Sequence, residues 1–226
     1  MERAVDLSEI SDGRLYGIED MVKADCQDCA GCSACCRGMG NSIILDPYDI
    51  YRLEQGLGRS FESLIGNELE LNVVDGVILP NLKMAGPEDK CIFNNDEGRC
   101  SIHKIRPGFC RLFPLGRLYE DHSFRYFLQI HECKKTNRSK IKVKKWLDTP
   151  NIKMYERFII DWHYFQKAIQ EQMAGEDETF ARNMNLYVIN VFFMRQYDVE
   201  QDFYDQFRER LAQAIEALGV ELETVL

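Results

Sequence analysis

Cys26-Gln27-Asp28-Cys29-Ala30-Gly31-Cys32-Ser33-Ala34-Cys35-Cys36 sets five cysteines within eleven residues. Disulfides do not close easily inside loops this short, because the Cα separation and side-chain directions they need are hard to reach. Thiolates spaced by two residues can instead converge on one soft metal ion, since a tight turn between them points both sulfurs inward. The run reads as a metal site, and the fold it implies is a small cysteine-rich domain.

Working outward, four more cysteines follow at Cys91, Cys100, Cys110 and Cys133. Each has a basic neighbour in Lys90, Arg99, Arg111 or Lys134, and Cys36 has Arg37. Positive charge beside a thiol favours the thiolate and offsets the negative charge of several thiolates around one metal. Nine cysteines in all is an odd number, so complete disulfide pairing within one chain is impossible.

The chain of 226 residues is 45% hydrophobic and 29% charged, ordinary values for a globular protein with a real core. A formal net charge of −9 argues against general nucleic-acid binding, which leaves a basic footprint. The first 23 residues mix acidic, basic and apolar side chains without the apolar centre of a signal peptide, and no stretch has the length of a membrane span. A cytoplasmic location is expected, where reducing conditions keep thiols available to metal.

Local signals give an α+β organisation: a metal-binding domain of β-hairpins and short helices, then a helical tail. Residues 1–25 read as a lead-in, 26–146 as the cysteine-cluster domain and 147–226 as the helical region. Ser42–Leu45 suggests a short strand, and Asp46-Pro47 supplies an N-cap and first-turn proline for a helix running to about Leu57. Asp75-Gly76 between apolar runs predicts a hairpin over Leu69–Met84. Asn94–Gly98 is a turn that brings Cys91 towards Cys100, and Glu120–Ser123 joins a further hairpin from Leu115–Tyr119 to Phe124–Ile130. Beyond Ile152, stripes through Tyr155, Phe158, Ile159, Trp162, Ile169 and Met173, then Phe180 to Met194, then Tyr204 to Leu218, predict three helices.

The segment Arg106-Pro107-Gly108-Phe109-Cys110-Arg111-Leu112-Phe113-Pro114 is a second focus. Pro107 and Gly108 favour a tight turn that presents Cys110 inward, while Phe113 and Pro114 can shield a bound group from water. Taken in order, Cys29-x2-Cys32-x2-Cys35-Cys36, Leu45-Asp46-Pro47-x2-Ile50-x-Arg52-Leu53, Cys91…Cys100-Ser101-Ile102-His103, Arg106-Pro107-x2-Cys110-Arg111-x-Phe113-Pro114 and Cys133 resemble the CxxCxxCC, or YkgJ-like, family of zinc- or iron-chelating proteins. The likeness covers about residues 26–135 and leaves the helical tail outside.

The resemblance implies Cys29, Cys32, Cys35, Cys36, Cys91, Cys100, Cys110 and Cys133 as ligands. Cys26 is additional to that pattern. A competing frame, Cys26, Cys29, Cys32 and Cys36, reproduces the C-x2-C-x2-C-x3-C run of bacterial iron–sulfur proteins, with Arg37 where a proline is usual. The family frame rests on more matching positions. Eight thiolates can hold two tetrahedral zinc ions, or one four-iron cluster with a zinc or spare thiols beside it. One dense run plus four dispersed cysteines favours an iron–sulfur cluster over zinc, because zinc knuckles come as separated pairs. The expected function is metal chelation, extending to redox or cluster-dependent modification chemistry. The alternatives are a zinc-stapled interaction module and a metal storage or delivery protein. The resemblance reaches flagellin lysine N-methylases, which carry this module, although the tail shows no recognisable S-adenosylmethionine motif.

Weaker signals complete the reading. The basic run 134–145 is either a solvated loop or strand edge, or a patch for an acidic or phosphate-bearing partner. His103 is read as structural or surface, and His131, two residues from Cys133, as the better outside candidate for a ligand. No nucleotide loop, Ser/His/Asp set or carboxylate pair stands out, so no residue is assigned to catalysis.

Overall fold

The structure, a computed structural model, describes residues 6–27 and 32–222. In chain order the elements begin with α1 (Leu7–Ile10), β1 (Ser11–Tyr16) and β2 (Met21–Asp25). Next come α2 (Pro47–Leu57), α3 (Phe61–Leu64), β3 (Leu69–Val74), β4 (Val77–Leu82), β5 (Met84–Ala85) and β6 (Lys90–Cys91). Then follow α4 (Gly108–Leu112), β7 (Leu115–Glu120), β8 (Ser123–Gln129), β9 (Ser139–Lys142) and α5 (Val143–Leu147). The long helices α6 (Ile152–Met173), α7 (Glu178–Ile189) and α8 (Phe203–Leu218) close the chain. This is an α+β protein whose strand pairs are antiparallel wherever their register is resolved.

The chain divides into two compact units, Met1–Ile44 with Leu82–Pro150, and Leu45–Asn81 with Asn151–Leu226. That division differs from the boundaries expected at 25 and 146, for two physical reasons. Of the expected lead-in, residues 11–25 carry paired strands, since β1 pairs with β8 and β2 with β9. Residues 45–81 leave the cysteine region altogether and share a core with the C-terminal helices.

In the first unit the sheet order is β1-β8-β7. The β7–β8 hairpin runs in register from Leu115↔Leu128 to Glu120↔Ser123. Its two-residue turn needs positive φ at both central positions, and Asp121 and His122 adopt 45° and 53°. β2 pairs with β9 through Met21↔Lys142 and Val22↔Ile141. Of the basic run, Lys140 and Lys142 lie on β9 and Lys144 and Lys145 on α5, while Lys134, Lys135 and Arg138 lie in the loop before β9; Val143, Trp146 and Leu147 are buried.

In the second unit, Asp46 starts α2 as expected. Its carboxylate accepts from Asp49 N at 2.8 Å, Asp49 returns a bond to Asp46 N, and Pro47 takes the first turn. The expected strand over 42–45 is an extended segment outside the named strands, and Leu45 N donates to Pro80 O at 2.8 Å. β3 and β4 form the hairpin that Asp75-Gly76 predicts, with φ of 49° and 86° at the turn. Asn185 of α7 holds that turn: its Oδ1 accepts from Ile78 N at 2.6 Å, and its Nδ2 donates to Gly76 O at 3.1 Å. The core is largely aromatic, with Phe158 stacked edge-on to Phe207 at 4.6 Å and Trp162 to Phe192 at 5.0 Å. After α7 the chain passes into a π-helical turn, Asn190–Met194, and a buried arginine meets carbonyls of the turn and of the residues just after it. Arg210 donates to the carbonyls of Val191, Arg195 and Gln196 and lies over the Tyr197 ring at 3.6 Å.

Candidate metal centre

Five segments of the first unit carry its cysteines to one place, and each is shaped by local chemistry. Ser33–Cys36 closes a tight 3₁₀ turn, with Cys36 N donating to Ser33 O at 3.0 Å. The chain then pairs with the β6 strand: Arg37 lies opposite Lys90 in an antiparallel bridge. Opposition of 37 and 90 sets 36 opposite 91, so the pairing itself brings Cys36 beside Cys91. Asp89 secures this join, taking Gly38 N on its carbonyl at 2.9 Å and Gly40 N on its carboxylate at 2.8 Å.

Cys91 and Cys100 flank a short hairpin bridged at Asn94↔Cys100. Asn95 turns the chain, its N–H meeting Arg99 O and its side-chain oxygen accepting from Arg99 N, both at 2.8 Å. Cys110 sits on α4, and Arg111 behind it is buried and donates to Arg106 O at 2.6 Å. Cys133 follows β8 in the loop leading to β9.

The result is a cavity of about 80 Å³ lined by Cys26, Cys32, Cys35, Cys36, Cys91, Cys100, Cys110 and Cys133. Apolar walls come from Ile43, Leu82, Ile102, Phe109, Phe113 and Trp146, and positive charge from Arg99, Arg106, Lys134 and Lys135. None of these eight cysteines is in a disulfide. Among the described residues, no group of three or more His, Cys, Asp or Glu side chains stands in an arrangement that could hold a metal ion. The donor set itself suits a soft metal: thiols in excess, cations to balance thiolate charge, and apolar side chains to keep water away.

The electrostatics differ from thiol to thiol. The Cys35 thiol hydrogen-bonds the Cys36 sulfur and, with help from the Asn94 amide and the Arg106 and Arg37 guanidiniums, holds Cys36 well below the usual thiol value against its burial. Burial pushes Cys91 up to about 11, and negative charge on Cys36 and Cys100 adds to the rise. Burial likewise raises Cys100, opposed by the Ile102 N–H and by Arg106 and Arg99. One thiol is therefore ready to lose its proton, while its neighbours give theirs up when a cation arrives.

Of the eight cysteines expected as ligands, seven line the cavity, and Cys29 lies outside the described residues. Two residues that the sequence reading set aside also line it. Cys26 is 6% exposed there, and His103 reaches it beside Arg106. The His103 Nε2 is 3.0 Å from Arg106 Nη1, and because a guanidinium can only donate, that nitrogen accepts and its lone pair is engaged. His131, the outside candidate for a ligand, is exposed and is not among the residues that line the cavity. Asn94, 5% exposed, is a further residue that the sequence reading passed over; its place inside the Asn94–Gly98 turn marked it only as a turn residue.

Residues 28–145, just over half of the chain, match the sequence family described as "CxxCxxCC: Putative zinc- or iron-chelating domain". The chain belongs to the CxxCxxCC family. Metal chelation, of zinc or iron, is the chemistry this membership carries. The family segment takes in every cysteine of the cavity except Cys26. Comparison with curated proteins and with solved structures finds no match. Around this CxxCxxCC segment the basic run is partly neutralised, since Lys142 and Lys144 both reach Glu19, at 3.2 and 2.6 Å. Among the described residues, no helix is long and apolar enough to cross a membrane.

Proposed function

We propose that this CxxCxxCC protein holds a polynuclear iron–sulfur centre through Cys29, Cys32, Cys35, Cys36, Cys91, Cys100, Cys110 and Cys133. It works in the cytoplasm, in redox or cluster-dependent modification chemistry. The observation that carries this reading is the single cavity: cysteines from the dense run and from all four dispersed positions line one space. Thiols gathered around one space favour one many-thiolate centre over two separate four-thiolate sites. When bound, an iron–sulfur group supplies one-electron chemistry whose potential answers to charge, hydrogen bonds to sulfur and access of water. The chain provides a lever of each kind. Arg106 and Arg99 act on the charge of Cys36 and Cys100, the Asn94 amide faces the Cys36 sulfur, and Phe109, Phe113 and Trp146 wall the cavity.

The test is strictly anaerobic purification with a visible spectrum and quantitative iron, sulfide and zinc on the same sample. Iron and sulfide in matching amounts, with a broad band near roughly 400 nm, are expected. A colourless protein with stoichiometric zinc would overturn the iron–sulfur reading and leave a zinc-stapled interaction module or a delivery protein. Replacing Cys32 or Cys110 with serine should lower metal content in either case, and full metal content in both variants would refute the ligand assignment.

A further inference from the structure

We propose that Cys26, which lies outside the family segment, is itself a ligand of the metal centre. This rests on the metal-centre reading above and extends it by one named thiolate. The first support is burial. Val22 and Ala24 of β2 are fully buried, and although the β2–β9 register shifts between Val22 and Asp25, Cys26, directly after the strand, is also buried, at 6% exposed.

The second support is where that buried position lies. Val22, Ala24 and Cys26 are all buried, but only Cys26 of the three lines the cavity, together with Cys32, Cys36 and Cys133. A cysteine serving only as a small apolar filler belongs among aliphatic side chains. This one lines a cavity that seven other cysteines also line.

The third support is that its position is fixed from a distant part of the chain. Asp25 pairs with Ser139 of β9, and Ser139 Oγ donates to Asp25 Oδ2 at 2.9 Å. The other Asp25 oxygen accepts from Gln27 N at 2.9 Å, and Gln27 turns the chain at a φ of 57° directly after Cys26. Cys26 is thus held between a paired strand and a defined turn, as a donor on a rigid support should be. The cavity's cations, Arg99, Arg106, Lys134 and Lys135, offset a further negative sulfur. On ligation the thiol S–H bond breaks, its proton leaves to solvent and a sulfur–metal bond forms, with no change of oxidation state.

The experiment uses the intact chain, stripped of metal under reducing conditions and loaded with ¹¹³Cd²⁺ as a thiophilic probe. Three-bond ¹H–¹¹³Cd correlation spectra report each cysteine whose sulfur binds the ion. Correlations from the Cys26 β-protons, lost in Cys26→Ser while those of other cavity cysteines remain, are expected. Correlations from Cys32, Cys36 or Cys110 with none from Cys26 would overturn the assignment of Cys26 alone. Absence of correlations from every cysteine would overturn the metal-centre reading and this inference with it. The wild-type spectrum decides the matter even where the serine variant fails to fold.

Discussion

Replacing Asn185 with alanine tests whether one buried amide fixes the β3–β4 hairpin to α7. Asn185 is 5% exposed and makes, besides a weak Nδ2 contact to Met173 Sδ at 3.6 Å, three hydrogen bonds with the backbone, accepting from Ile78 N at 2.6 Å and donating to Gly76 O at 3.1 Å and Ala181 O at 2.9 Å. The three are not equal. Ala181 O belongs to the helix's own ladder and loses little. Gly76 is exposed at the turn, so its carbonyl turns to water and the loss is about 0.5 kcal/mol. Ile78 is half-buried, and stranding its N–H costs about 1–3 kcal/mol. The expected loss is therefore ~2–3 kcal/mol, dominated by a single amide. At about 2–4 °C per kcal/mol for a chain of this size, the melting midpoint falls by roughly 4–12 °C. Calorimetry reads that shift, and hydrogen exchange should show the Ile78 amide losing protection ahead of its neighbours. Asn185→Leu refills the volume without restoring a polar atom, so an equal loss in both variants assigns it to hydrogen bonding. A change under ~0.5 kcal/mol with Ile78 still protected would refute the reasoning, since that is the range of an uninvolved surface substitution.

Three further outcomes follow from other parts of the molecule. Gly116 sits opposite Phe127 in the β7–β8 register, and a β-carbon there would overlap the Phe127 ring; Gly116→Ala should cost about 1–3 kcal/mol, with partial rescue by Phe127→Leu in a double-mutant cycle read by urea unfolding. Burial raises the Asp161 carboxyl above its ordinary value, against the pull of Arg157 at 3.1 Å. Ionisation therefore costs more in the folded chain, and the contribution is full in acid and is lost as pH rises through the raised folded value. Asp161→Asn should match the parent below pH ~4 and be the more stable of the two near neutrality; a variant less stable than the parent at neutral pH would sink this. Chelator treatment under reducing conditions should expose the amides of β2 and β9 to exchange, because a metal present at about 100 times its dissociation constant stabilises by ~2.7 kcal/mol; unchanged protection would show that metal and fold are not linked.

Legibility of the fold followed the range of each signal. Asp46-Pro47, Asp75-Gly76 and the Glu120–Ser123 turn are short-range devices, and α2 and the two hairpins appear where those residues set them. The three tail helices were equally readable, since a buried stripe is written along one segment. Pairings between distant segments left no such mark. Ser11↔Gln129 and Met21↔Lys142 join strands more than a hundred residues apart, and nothing local in 11–25 distinguishes a paired strand from a lead-in. The same blindness affected the site. The cysteines announced themselves by type and spacing, but membership of the cavity was decided by long-range pairing. That pairing brought in Cys26 and left His131 outside. The π-helical turn at Asn190–Met194 and its arginine also escaped, because the apolar stripe continues through it.

The order of the cysteines poses a physical problem that the topology answers. Cys36 and Cys91 are separated by residues 45–81, which fold into the other unit, and a flexible connection of that length would set an entropic cost on bringing the two thiols together. The excursion is closed at its base: Leu82 N donates to Ile43 O at 3.0 Å, so the chain returns beside the point from which it left. From there Ile92 N reaches Lys83 O, Met84 pairs with Cys91, and Arg37 pairs with Lys90. These pairings close the excursion with backbone hydrogen bonds alone, and Cys36 meets the Cys91–Cys100 hairpin as though the insertion were absent. The β2–β9 pairing does the same for Cys26 and the Cys133 loop. If these pairings bring the cysteine segments to one cavity before metal arrives, weakening the Ile43–Leu82 closure should reduce metal affinity even though neither residue offers a ligand atom. Leu82→Pro, which removes the N–H donor, provides the measurement: lower metal affinity with all nine cysteines retained supports preassembly, and unchanged affinity in the folded variant would show that the metal itself gathers the thiols.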